Sequence, residues 1–121
     1  MYIEIKWGEK MFEQKLNEML SQLMVDEKQL VQQNRKDEAA FVRIRSNIVN
    51  IGKTVWQVVV RTEKEENRRE IYLGKMAALR MAWQESLSQA EKYEDHDKVM
   101  IETMKLSMLE QVLRMFEESA A

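Results

Sequence analysis

A chain of 121 residues with no cysteine, no proline and only three glycines excludes a disulfide framework and thiolate chemistry, and its composition favours helix throughout. Charged residues at 33% and apolar residues at 45% are both abundant, which argues against disorder and for strongly polar faces alternating with strongly apolar ones. A net charge of −2 with both signs interspersed gives no broad positive field, so a main role in neutralising a nucleic-acid backbone is not expected.

Residues 2–7 alternate Ile3, Ile5 and Trp7 with Glu4 and Lys6, the period of a short strand. A lone strand has nothing to pair with, so residues 1–8 are expected to form an extended N-terminal arm laid onto the rest of a single domain spanning 1–121. The arm lacks the continuous apolar run of a signal peptide. No segment reaches the roughly 18 to 20 uninterrupted apolar residues that cross a bilayer. The expectation is a soluble, cytoplasmic protein with no membrane partner.

The first helix is predicted from Glu9 to about Gln33, with Phe12, Leu16, Met19, Leu20, Leu23, Leu30 and Val31 mostly on one face and a polar thin spot at Asp26–Lys28. Asn34 and Asp37 resemble a capping pair at the next start. The second helix, about Asp37 to Arg61, has the most regular pattern in the chain: Phe41, Ile44, Ile48, Ile51, Val55 and Val58 at steps of three and four, beside a seven-spaced stripe of Val42, Val49 and Trp56. So wide an apolar arc predicts a central helix covered on more than one side. The polar run Arg61–Glu70, with possible capping boxes at Thr62/Glu65 and Asn67/Glu70, marks a turn. The apolar phase nevertheless continues through it to Tyr72, Met76, Leu79 and Trp83, so a long helical hairpin with helices two and three continuous is the alternative.

Helix three, about Asn67 to Tyr93, carries a second strip of Ile71, Gly74, Ala78, Met81 and Ala82, whose small residues would let another backbone approach closely. After a polar turn at Glu94–Asp97, helix four is predicted from about Lys98 to Glu118. One of its stripes contains Ile101, Met104, Met108, Val112 and Met115; the other contains Leu106, Leu109, Leu113 and Phe116. The fold class is therefore all-α, an up-down-up-down four-helix bundle of long antiparallel helices, expected to be dimeric.

No motif specifies a reaction, and no catalytic, cofactor-binding or metal-ligating residue is assigned. A carboxylate-bridged di-metal site needs two Glu-x-x-His elements, and the single histidine, His96, has no glutamate three residues before it. His96 lies among Glu94, Asp95 and Asp97, residues that suit a helix start better than a metal site, although an enzyme or small-ligand bundle with a carboxylate site would use them. Arg35, Lys36, Arg43 and Arg45 form the densest basic group, and would serve a nucleic-acid-linked regulator if Asp37 and Glu38 did not intervene. The apolar surplus of helices three and four, including several of the ten methionines, favours a different function. It points to a non-enzymatic protein–protein interaction module that acts as homodimer, adaptor or chaperone for an amphipathic helix of a client. Its expected interface is Ile71, Gly74, Ala78, Met81, Ala82, Met104 and Met108.

Overall fold

The computed structural model describes residues 6–120 and contains four α-helices: α1 (Trp7–Gln32), α2 (Lys36–Thr62), α3 (Glu65–Lys92) and α4 (His96–Ser119). Among the described residues there is no strand, and none of the helices is long and apolar enough to cross a membrane. Val58, Val59 and Val60 are helical, so the three-four apolar spacing that reaches them from Phe41 outweighs their β-branched propensity.

The helices end where their open carbonyls can be satisfied locally. Asn34 (φ 60°) and Glu94 (φ 54°) enter the left-handed region just past α1 and α3. In the first turn the Arg35 N–H then donates to the Leu30 carbonyl at 2.8 Å and the Asn34 N–H to Val31 at 3.0 Å. The second turn repeats the arrangement, Asp95 to Ala90 at 2.9 Å and Glu94 to Glu91 at 3.1 Å. This paired closure is the usual solution for a helix C-terminus.

The α2–α3 turn is built differently. Glu63 (φ −114°, ψ 150°) and Lys64 (φ −67°, ψ 147°) are both extended, and these residues alone interrupt the helix. The long hairpin with helices two and three continuous is therefore not formed. Apolar spacing cannot register such a break, because no breaker residue marks it and the phase resumes beyond it. Most of the polar run 61–70 is helical, and the capping pairs read there are not used. Thr62 instead donates its hydroxyl to the Val58 carbonyl at 2.8 Å, and Lys64 caps α3 without a side-chain bond. Arg35, rather than Asn34, is the N-cap of α2.

At the N-terminus, residues 1–5 of the expected arm, with Ile3 and Ile5, lie outside the described residues. Trp7 and Gly8 correct the rest of that expectation, since they are the first residues of α1. The Glu9 carboxylate accepts from the Lys6 N–H at 3.0 Å and so starts the helix earlier than the apolar pattern does. Trp7 is not laid onto the bundle; it is 76% exposed.

α2 and α4 each pack against all the other helices, whereas the backbones of α1 and α3 do not meet. α1 is most extensively paired with α2, and α3 with α4. The buried arc of α2 is centred on Val42, Val49 and Trp56, while Phe41, Ile44, Ile51, Val55 and Val58 of the longer stripe are half-buried along its flank. One aromatic residue from each helix meets in the core: Phe12, Trp56, Tyr72 and Phe116. Their ring centroids lie between 4.8 and 5.8 Å apart in every pairing, and most pairs are edge-to-face, the orientation that ring quadrupoles favour. Gly52 admits this cluster, because a Cβ there would stand 3.0 Å from Val112 Cγ1 and 3.5 Å from the Tyr72 hydroxyl.

The core is uneven along the helices. Its largest fully buried side chains all fall within 12–16, 49–59, 72–76 and 109–116. Over 20–45 and 79–104, by contrast, Leu20, Leu30, Leu79, Trp83, Ile101 and Met104 are only half-buried, and Met24, Met81 and Met100 are exposed.

Candidate functional site

At about 100° per residue, Gly74 and Met81 lie nearly opposite Tyr72 around the α3 axis, with Ala78 and Ala82 beside them. The inner side of α3 is accordingly Arg68, Tyr72, Met76 and Ala90. Its outer side leaves Gly74, Ala78, Met81 and Ala82 exposed. A Cβ on Gly74 would meet nothing within 4 Å, and Met81 is 70% exposed. Ile71 is half-buried at the edge of this strip and packs on the core. Between Gly74 and Ala82 the outer side of α3 thus carries small and apolar residues, with exposed Lys75 at its edge and Glu85 and Lys92 continuing the same line beyond it.

Met104 and Met108 do not join that strip. Met100, Met104 and Met108, four residues apart, form a ladder along α4 beside a polar ledge of Thr103, Ser107 and Gln111 at the same spacing. With Leu23 of α1 and Arg45 of α2 they bound an open groove of ≈ 610 Å³, to which α3 contributes nothing. The ladder descends along the groove: Met100 is 50% exposed, Met104 half-buried and Met108 buried. The residues read from the sequence as one interface therefore occupy two separate faces.

The basic group is also divided. Arg35 is paired with Glu38, and Arg43 with Glu27 at 2.8 Å, so half of its charge is neutralised locally. Lys36 is exposed, and Arg45 turns toward the groove. Near His96, Asp95 accepts from the Lys98 N–H at 3.2 Å as the cap of α4, Glu94 forms the left-handed turn, and all of Glu94, Asp95, His96 and Asp97 are exposed. Among the described residues no three histidine or carboxylate side chains form a group that could hold a metal.

The charged groups that do lie at packed positions are ones the sequence reading passed over. Glu9 and Arg68 are buried as an ion pair, and Arg68 also reaches the carbonyls of Val60 and Glu63, each at 3.4 Å. A signal for Arg68 was present: it stands four residues before Tyr72 and eight before Met76, in phase with the inner side of α3. Glu9 is likewise in phase with Phe12 and Leu16. On α4, Lys105 Nζ lies 3.2 Å from buried Glu102 and 4.8 Å over the Trp83 ring, which ties α4 to α3. Burial holds the Tyr72 phenol well above the ordinary tyrosine range while its hydroxyl donates to the Gly52 carbonyl at 3.1 Å. Each of these groups is engaged by a neighbour within the fold. Against known proteins, no family model, no curated protein and no solved structure gives a significant match to this chain.

Proposed function

We propose that the protein is a non-enzymatic interaction module, an up-down-up-down bundle that associates with a second copy of itself through the outer face of α3. The alternating course is supported by ion pairs between α3 and α4: Arg69 with Glu117 at 3.2 Å and Arg80 with Glu110 at 2.8 Å, in opposite order along the two helices. The short turns that join neighbouring, extensively packed helices also suit that course.

The observation that carries the reading is the outward strip of Gly74, Ala78, Met81 and Ala82, made largely of small side chains and bordered by the exposed Lys75. Its spacing is self-complementary. Two copies of α3 crossing about a two-fold axis at Ala78 would set Gly74 against Ala82 on both sides, allowing close backbone approach, with Met81 filling the flanks. Sedimentation velocity at micromolar concentration tests the proposal. The wild-type chain is expected at twice its 14.5 kDa mass, and Ala78→Arg, a change at an exposed position, is expected to sediment as a monomer with unchanged helical circular dichroism. A wild-type monomer overturns it.

A further inference from the structure

We infer that the groove on α4 is a docking site for an acidic amphipathic helix of another protein. The inference rests on reading the chain as an interaction protein, but not on its self-association, since the groove and the α3 strip share no residue.

The walls of the groove select a helix. Met100, Met104 and Met108 make one four-spaced ridge, and Thr103, Ser107 and Gln111 make a second beside it. Parallel ridges of this kind are what a facing helix packs into. From Met100 to Gln111 they run about 17 Å at roughly 1.5 Å per residue, enough for three turns of a partner. The groove is open along its length, so a small apolar ligand would leave much of its surface in water instead of being largely enclosed. No sheet edge is available among the described residues to pair with an extended peptide. Methionine on the deep side is suited to the task, because its unbranched, polarisable chain adapts to differing apolar knobs.

Charge selects the sign of the partner. Arg45 is the only charged residue lining the groove, no carboxylate lines it, and Arg45 makes no ion pair among the described residues. Its neighbour Arg43, by contrast, is committed to Glu27. A helix whose apolar stripe is flanked by glutamate would place that stripe on the Met ladder, its amides and hydroxyls on the polar ledge, and a carboxylate on the Arg45 guanidinium.

The probe is a fluorescein-labelled, 15-residue designed helix with leucine at one three-four stripe and glutamate flanking it, alongside a copy with lysine in place of glutamate; binding is read by fluorescence anisotropy. The acidic peptide is expected to bind at micromolar concentration and at least about tenfold more tightly than the basic one, and Arg45→Glu is expected to reverse the order. Ser107→Trp, at an exposed position that leaves the core untouched, is expected to weaken the acidic peptide about tenfold or more while the far-ultraviolet spectrum stays unchanged. Equal binding of both peptides, or no effect of Ser107→Trp, overturns the inference. So does dodecanoate saturating the groove when neither peptide binds, or Ser107→Trp converting a dimer to a monomer, which would give the groove to a second copy. The same titration on Ala78→Arg separates the two proposals, because peptide binding is expected to persist whether or not the chain self-associates.

Discussion

Arg68 of α3 donates from one guanidinium nitrogen to both carboxylate oxygens of Glu9 on α1, at 3.1 and 3.3 Å, and it does so between two helices whose backbones never meet. The pair spans the far diagonal of the bundle through long side chains. Glu9 is at the same time the residue that starts α1, through its bond to the Lys6 N–H. One carboxylate therefore fixes both where the first helix begins and how it is tied to the third.

Because both partners are buried, removing one is expected to cost far more than removing both. Glu9→Leu leaves a buried guanidinium without its carboxylate and is expected to lower stability by about 3 kcal/mol. Arg68→Met alone strands the carboxylate and should cost a similar amount. The double variant is expected to recover the part of the loss that comes from a stranded charge, while the Lys6 N–H cap and the bonds to the Val60 and Glu63 carbonyls stay lost. Urea denaturation of the three variants, analysed as a double-mutant cycle, measures this; additive losses would contradict it.

Tyr72 makes stability depend on alkaline pH. Its phenol is buried, so ionisation in the folded state requires a higher pH than the ordinary tyrosine value of 10.0. Above that value the unfolded chain releases a proton that the folded chain retains, so the contribution is whole below about pH 10 and declines as pH rises past it. Tyr72→Phe is expected to cost about 1 kcal/mol at neutral pH, where it strips the Gly52 carbonyl of its side-chain donor. It should also lose less stability than the wild-type chain between about pH 8 and about pH 11. Urea midpoints at the two pH values decide it.

The backbone positions separate into those held by packing and those open to improvement. Gly8→Ala would drive a methyl group into the Ser119 carbonyl oxygen, where α1 crosses the end of α4, and is expected to destabilise. Gly74→Ala meets open space inside a helix and is expected to add up to about 1 kcal/mol. Glu94→Gly should also stabilise, by about 1 kcal/mol, since it relieves a non-glycine residue at φ 54°. Thermal melts at low protein concentration, below any association, report all three without a contribution from self-pairing.

Spacing alone was enough to recover the helical architecture. Steps of three and four from Phe12 to Leu23, from Phe41 to Val58 and from Ile101 to Val112 each located a helix, because helical geometry converts spacing directly into one face. Turn positions were legible to within a few residues because polar runs at Asn34–Glu38, Arg61–Glu70 and Glu94–Asp97 interrupt the apolar stripes. What the sequence could not supply was how short the second turn is: the polar run Arg61–Glu70 marks it, yet only Glu63 and Lys64 within that run leave the helix. Nor could it say which of α2's two stripes lies deepest. Trp56 and Val49 are enclosed because three helices converge there, a fact about neighbours and not about α2.

The candidate surfaces divide in the same way. That α3 carries small or apolar residues on two sides follows from Tyr72, Gly74, Met76 and Ala78 in order along the chain. That Gly74 and Ala78 face outward while Met104 and Met108 line a different groove, beside Arg45, depends on how α4 is rotated between α1 and α3. Local pattern fixes which residues share a helix face; only packing, through contacts between residues far apart in sequence, assigns each face to the core, to an open strip or to a groove.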